Sequence, residues 1–366
     1  MREINLTKVD VQKNEIKFIF EGLKDIHVGN SLLIKYKFDV TSYVTNNMLV
    51  NMFFAMTLPL AASSKRETEV VVDSCIPVDE STVVFWNRLI NEVHGLNNCV
   101  IRANNIKEDS EEIYSSSKPS RVGIFYGGGV EGNYTLAGFV AHKPVLVNYE
   151  GPKLMNSYPT VDGRSAKREL LKKVCKDFDL DEEIIDVPIF ASTKRNKNRI
   201  LESITATTFF YCAMPVAKKY NISLFFWGQE QEDLRQFQSR YSPERFPGAH
   251  LINQFRIKNG PLVKNFGGYA YKPALLHTLL FLHPEFCKYI YSCICNNPNK
   301  RWCDCHKCRR MISYFDAFGW DREMLEIDDS LQGTKWKDRY QTGLNRMRKE
   351  LDSVKNIALK KRKIKK

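Results

Sequence analysis

Between Arg121 and Trp227 the chain alternates hydrophobic strand-like runs with helical stretches. That rhythm limits the fold more than any other feature of its 366 residues. The run "RVGIFY" begins at Arg121, and a helix is predicted near Tyr134 to Val140. "PVLVNY" follows from Pro144, then a helix over Ala166 to Lys176 and "IIDVPIF" from Ile184. A long helix over Ile200 to Lys219 leads to "ISLFFW" from Ile222. Strands that read as unbroken β-branched and aromatic runs are buried on both faces, and helices between them make the sheet parallel. The expected class is α/β, a parallel sheet with helices on both faces.

The flanks read differently. Ile16, Phe18 and Phe20 alternate with polar neighbours, as do Ile34, Tyr36, Phe38 and Val40. This period of two predicts a small β-rich unit within residues 1–103. A helix near Met48 to Met56, a strand "EVVVD" from Glu69 and a helix over Ser81 to Val93 complete it. In that last helix Val83, Trp86, Ile90 and Val93 share a face. The polar stretch from Asn104 to Ser120 has the composition of a loop or linker. The alternating region occupies 121–270. A mostly helical region, 271–359, is expected around Pro273 to Tyr291, Lys307 to Ala317 and Lys335 to Ile357. A basic tail, 360–366, ends the chain.

The most apolar window, Met48 to Ala62, is broken by Asn51 and Pro59, and it is shorter than the roughly 20 residues a membrane helix needs. "MREINLTKVDVQ" lacks the apolar centre of a signal peptide. A soluble, cytoplasmic protein is expected. The net charge of +13 raises the question of nucleic acid, but six of those charges fall in "KKRKIKK", Lys360 to Lys366. Such a run reads first as a solvated tail, and as a docking arm for a protein partner second. No clear nucleic-acid site follows from it.

"VGIFYGGGVEGNY" carries the chemistry. Glycines let the backbone turn tightly and bring N–H groups onto a phosphate at the positive end of a helix. Taken literally, Gly127, Gly129 and Gly132 spell the dinucleotide fingerprint G-x-G-x-x-G. Glu150 stands near the place of the ribose-binding acid, so an NAD(P)-dependent oxidoreductase is one reading. Alternatively "GGGVEG" is a worn Ser-Gly-Gly-x-Asp-Ser, the loop that grips the pyrophosphate of ATP. A plain strand–helix turn without a ligand is the third.

Five of the ten cysteines, Cys293, Cys295, Cys303, Cys305 and Cys308, crowd into sixteen residues. With no secretion signal, such density points to a metal rather than to disulfides. Zinc takes four soft ligands in a tetrahedron, and here five cysteines and His306 compete for the places. Cys305 and Cys308 also form a C-x-x-C, but no thioredoxin-like strand precedes it. A structural site is the better reading.

Four segments in order, across roughly residues 45 to 320, resemble the ATP-dependent UDP-N-acetylmuramoyl-L-alanyl-L-glutamate epimerases. These join a PP-loop ATP-pyrophosphatase domain, of HUP-like fold, to an N-terminal extension. "FFAMTLPLAASSKRETEVVVDSCIPVDESTVVFWNRLINEVHGL" is similar to their segment ahead of the nucleotide domain. Gly127 to Glu131 is similar to their Gly-Gly-Gly-Lys-Asp-Ser loop. "FFWGQEQEDL" is similar to their strand followed by Gly-Asn-Glu-Arg-Ser, and "YSCICNNPNKRWCDCHKC" to their cysteine motif. The cysteine motif also resembles that of the 7-cyano-7-deazaguanine synthases. Glu131 replaces the loop's aspartate, Gly132 its serine and Val130 its lysine. Gln229 and Gln231 replace the asparagine and arginine of the later motif, and Cys303-Asp304-Cys305 shortens a Cys-x-x-Cys.

The resemblance implies ATP, Mg²⁺ and Zn²⁺ as cofactors and a carboxylate substrate, a small molecule or a peptide or sugar-nucleotide. It implies adenylation of that carboxylate, followed by epimerisation or ligation. Gly127, Gly128, Gly129, Gly132 and Asn133 would bind the nucleotide, with Glu131 and Glu230 on the metal side. Lys194, Arg195 and Arg199 would meet an anionic substrate or form a solvated loop. Cys293, Cys303, Cys305 and Cys308 would hold zinc, with Cys295 in reserve. The departures in the loop leave a nucleotide-binding protein without turnover as an alternative. Glu131→Gln is expected to leave the fold intact, since the glycines make the turn.

Overall fold

The computed structural model describes residues 1–23, 29–64, 69–92, 99–109, 120–150, 166–187, 207–228, 254–267, 270, 272–291 and 301–333. Thirteen strands lie within them: β1 (Arg2–Gln12), β2 (Glu15–Glu21), β3 (Ser31–Lys35), β4 (Glu69–Ser74), β5 (Val78–Asp79), β6 (Val100–Ala103), β7 (Ile106–Lys107), β8 (Arg121–Phe125), β9 (Val145–Glu150), β10 (Glu182–Asp186), β11 (Ile222–Gly228), β12 (Gln254–Arg256) and β13 (Leu262–Phe266). The helices that matter below are α1 (Asn46–Ser64), α2 (Glu80–Glu92), α3 (Val130–Phe139), α4 (Ala166–Phe178), α5 (Met214–Tyr220), α6 (Lys272–Leu282) and α7 (His306–Phe318).

Eleven strands form one sheet in the order β12-β13-β11-β8-β9-β10-β3-β2-β1-β4-β6. Its centre, β13-β11-β8-β9-β10, is parallel throughout. In chain order these five strands run 3-2-1-4-5, so the winding reverses between β8 and β11. In open α/β sheets ligands bind at such a reversal, outside the carboxyl ends of the strands. The α/β class and the mainly parallel sheet agree with the sequence. The β-rich N-terminal strands continue the same sheet through an antiparallel step, Asp186 opposite Lys35.

Alternation along the strands divides the interior in two. Ile124, Leu146, Ile184 and Phe226 face one core, which they share with Val130 and Leu136 of α3, Leu171 and Val174 of α4, and the apolar faces of α6 and α7. Val145, Val147, Ile185 and Phe225 face the other, with α1, Trp86 of α2 and Val216 of α5. Helices α3 and α4 therefore sit on one face and α5 on the opposite one. A right-handed crossover requires this when the strand order reverses. Phe18, Phe20 and Phe54 of the N-terminal region belong to the same core as Val145 and Phe225.

Several sequence expectations shift. Helix α1 reaches Ser64 and carries Pro59 inside it. β3 stops at Lys35, although Tyr36 and Val40 stay buried. Within the expected linker, Ile106–Lys107 pairs in parallel with Val78–Asp79. The long helix expected to end at Lys219 breaks at Ala213, because Pro215 at the start of α5 has no N–H to continue the previous turn. Strands β12 and β13 escaped the sequence reading. They form an antiparallel pair around Asn259, which takes the left-handed conformation at φ 54. The helix expected over Lys335 to Ile357 and the tail lie outside the described residues. None of the described helices is long and apolar enough to cross a membrane.

Candidate functional site

The glycine turn occupies the reversal point. β8 ends at Phe125, and α3 begins at Val130, several residues before the helix read from the sequence. Val130, Glu131 and Gly132 are thus already helical. Gly129 is the residue before the helix and supplies no side chain to cap it. The first-turn amides of α3 therefore have no side-chain cap from that residue, which is the condition for anion binding at a helix start.

The four glycines are not equivalent. Gly128 has φ +72, so its backbone favours glycine, and a Cβ there would also displace the end of the Leu170 side chain, 2.7 Å away. Gly129 is tight, with Glu131 Oε2 at 3.0 Å from a Cβ. Gly127 opens on nothing within 4 Å, and at Gly132 the nearest atom is 3.5 Å away, an ordinary contact. A Cβ is thus tolerated at 127 and 132 and disfavoured at 128 by its positive φ. Gly128→Ala should cost about 1–3 kcal/mol through the left-handed backbone and the clash. Gly132→Ser should cost less than Gly128→Ala, because Gly132 needs no positive φ and its Cβ makes only ordinary contacts. Urea midpoints of the two variants check this; equal midpoints would mean that the turn does not have this shape.

Asn133 shapes the turn from behind. It is fully buried, and its Nδ2 donates to the carbonyls of Gly129 at 2.9 Å, Gly128 at 3.1 Å and Tyr289 at 3.2 Å. The Tyr126 hydroxyl donates to its Oδ1 at 2.9 Å. With both ends of the amide so engaged, Asn133 holds the loop from within. Burial raises the Tyr126 phenol far above its ordinary range, so it remains a donor at any working pH.

Glu131 lies in the first turn of α3, where the helix dipole favours a negative charge. Its carboxylate is paired with the Lys272 ammonium at the start of α6, and the two side chains are 15% and 10% exposed. Burial alone would push the carboxyl up. The charge and hydrogen bond of Lys272, a backbone amide and Arg310 outweigh that and hold it below the ordinary value. The carbonyl of Glu131 accepts from Thr135 Oγ1 at 2.8 Å. β11 closes against this turn. A Cβ on Gly228 would come within 2.6 Å of the Glu131 carbonyl oxygen, so only glycine allows the approach. Replacing Glu131 would take from Lys272 its buried partner, so a cost in stability is expected beside the intact glycine turn.

The second cluster lies beyond α6. Ligand atoms of Cys303, Cys305 and Cys308 come within 4.8 Å of one another, close enough to share a metal ion. Cys305 precedes α7, and its sulfur accepts from the backbone N–H of Cys308 at 3.5 Å. Cys308 is fully buried beside Met311 and Ile312, and Trp302 is buried with its indole N–H on the Leu325 carbonyl at 2.8 Å. Three soft donors at this spacing fit a thiophilic ion such as zinc.

Cys293, Cys295, Glu230, Lys194, Arg195 and Arg199 lie outside the described residues. Three of the four expected zinc ligands are thus brought together, and Glu131 stands at the turn. The sequence reading missed Lys272. Pro273 marks a helix start, but nothing local tells that this helix begins against Glu131. Compared with protein-family models, with curated proteins and with solved structures, the chain matches none.

Proposed function

We propose that the protein cleaves ATP between its α and β phosphates to activate a carboxylate. In this reaction a carboxylate oxygen attacks the α-phosphorus, the bond to the bridging oxygen breaks, and pyrophosphate leaves with that oxygen. The acyl-adenylate so formed is an activated carbonyl, which can accept an amine or lose its α-proton. The charge growing on pyrophosphate needs fixed N–H dipoles, and the amides at the start of α3 would supply them. Mg²⁺ would neutralise the phosphates, with Glu131 and Glu230 as its carboxylates. Zn²⁺ on Cys303, Cys305 and Cys308 would be structural, with Cys293 fourth by the order of the resemblance.

The observation that carries this reading is the selective need for glycine. In Ser-Gly-Gly-x-Asp-Ser the serines fall at 127 and 132, where a Cβ meets open space or ordinary contacts, and the glycines at 128, which has a positive φ, and at 129, where a Cβ would press on the Glu131 carboxylate at 3.0 Å. The dinucleotide fingerprint places its glycines at 127, 129 and 132 and leaves 128 variable. The geometry runs against it, since 128 alone of the four has positive φ. The same observation supports a PP-loop, HUP-like ancestry for the 3-2-1-4-5 sheet. Incubation with Mg·ATP and a panel of carboxylates should release AMP and pyrophosphate. ADP and phosphate as products would overturn the assignment. A second reading, nucleotide binding without turnover, is favoured by the Lys272 pairing of Glu131. Binding of Mg·ATP without any AMP would establish it.

A further inference from the structure

A chain of hydrogen bonds leads from the edge of the cysteine cluster to the glycine turn. Arg301 lies two residues before Cys303 and is 18% exposed. Its Nε donates to the Ile290 carbonyl at 3.0 Å, and its NH2 group donates to the Cys287 carbonyl. The Ile290 carbonyl belongs to the same peptide group as the Tyr291 N–H. That N–H donates to the Gly128 carbonyl at 2.7 Å. The Gly128 carbonyl in turn belongs to the same peptide group as the Gly129 N–H. None of the described peptide bonds is cis. In a trans peptide the C=O and N–H point in opposite directions. Fixing the Gly128 oxygen inward, on Tyr291 and Asn133, therefore turns the Gly129 N–H outward, to the side where a phosphate would lie.

We infer that Arg301 is a positioning residue for the anion-binding turn, acting through the 290–291 and 128–129 peptide groups. Two effects run along the chain. Geometrically, the guanidinium bridges two carbonyls of the 287–291 segment and so fixes the height at which Tyr291 meets the turn. Electrostatically, a cation on the first carbonyl polarises each successive bond and makes the last N–H a stronger donor. Glu326 holds the guanidinium from its other side at 3.0 Å, so the cation is oriented before any ligand arrives. The cysteines sit just beyond, and a metal on Cys303 would anchor the backbone that carries Arg301. The inference gains meaning from the phosphate reading of the turn but can be tested without it.

Arg301→Gln and Arg301→Lys are compared with the parent by hydrogen exchange of a peptide containing Tyr291, and by calorimetric titration with Mg·ATP. Glutamine loses the charge and one of the two carbonyl contacts. Removing a hydrogen bond from a charged donor should speed Tyr291 exchange and weaken binding, each about tenfold or more. Lysine keeps the charge but has no fork, and should recover part of both. If Arg301→Gln fails to fold, an intermediate exchange rate in Arg301→Lys supports the relay and a parental rate overturns it. A folded Arg301→Gln with parental Tyr291 exchange overturns it as well. Should the parent itself not bind Mg·ATP, the nucleotide reading falls, and the exchange measurement still decides the role of Arg301.

Discussion

Lys272→Met unfolds at markedly lower denaturant than the parent at neutral pH, with a loss of about 3–5 kcal/mol, as expected when one member of a buried ion pair is removed. The methionine fills much of the same volume, so the loss comes from Glu131. Its carboxylate is left largely buried, 15% exposed, with its nearest cation gone. Arg310 also favours the charged form, but it is the weakest of the favourable influences on this group. Lys272→Met combined with Glu131→Gln should recover most of the loss, because a neutral amide no longer needs a counter-charge. Separate losses that simply add would show that the two side chains do not interact.

The pH dependence follows with a definite sign. In the parent the folded carboxyl lies below its unfolded value, so the pair stabilises above about pH 4.3. That contribution is lost as pH falls through the folded value. In Lys272→Met burial dominates and the carboxyl rises above its unfolded value. The variant is then destabilised at neutral pH and relieved as the group protonates. The gap in stability between parent and variant should narrow steadily below about pH 5. A gap independent of pH would locate the damage in packing and not in the charge.

What the sequence disclosed was local. Strand–helix alternation identified β8, β9, β10 and β11 because their residues are buried on both faces, which leaves a period-free apolar run. The glycines marked the turn because Gly128 needs a backbone that other residues resist. β12 and β13 were hidden for the opposite reason. Gln254–Arg256 is three residues long, and Leu262–Phe266 mixes Lys264 and Asn265 into its run, so neither shows a clear pattern. The break at Ala213 was legible in principle from Pro215, but the apolar residues on both sides concealed it.

The site was legible only where its parts are adjacent in the chain. Cys303, Cys305 and Cys308 fall within six residues, a spacing that lets their sulfurs share a metal ion. Glu131 was found because it follows the glycines. Its partner Lys272 and the Tyr291 that fixes Gly128 lie far along the chain, and their contacts follow from how α6 and the segment after it pack on α3. Asn133 shows what chain neighbourhood alone leaves open. A polar residue beside a ligand loop reads as a ligand contact, whereas here it meets the loop's own carbonyls.

Zinc removal is expected to have the largest effect on the C-terminal region. Cys303 and Cys305 stand on a segment with little regular structure of its own, and Cys308 points into the core shared with Tyr289, Trp302 and Phe315. Three cysteine sulfurs lie this close, and a cation among them would bind all three. A cation would make that arrangement a source of stability, since structural zinc sites couple about 10 kcal/mol or more of binding to folding. Protein purified without tags or added metal should carry close to one zinc per chain. Strong chelators should lower its melting temperature and first raise hydrogen exchange between Arg301 and Phe318. Cys308→Ser should lose both zinc and stability, because a serine oxygen is a poor ligand for a soft ion and leaves a polar group in an apolar core. Cobalt substituted for zinc should give the intense visible bands of a tetrahedral thiolate site in the parent and not in Cys308→Ser. Protein that carries no metal and melts at the same temperature with and without chelator would show instead that the three cysteines are packing residues, and that the fold closes around them unaided.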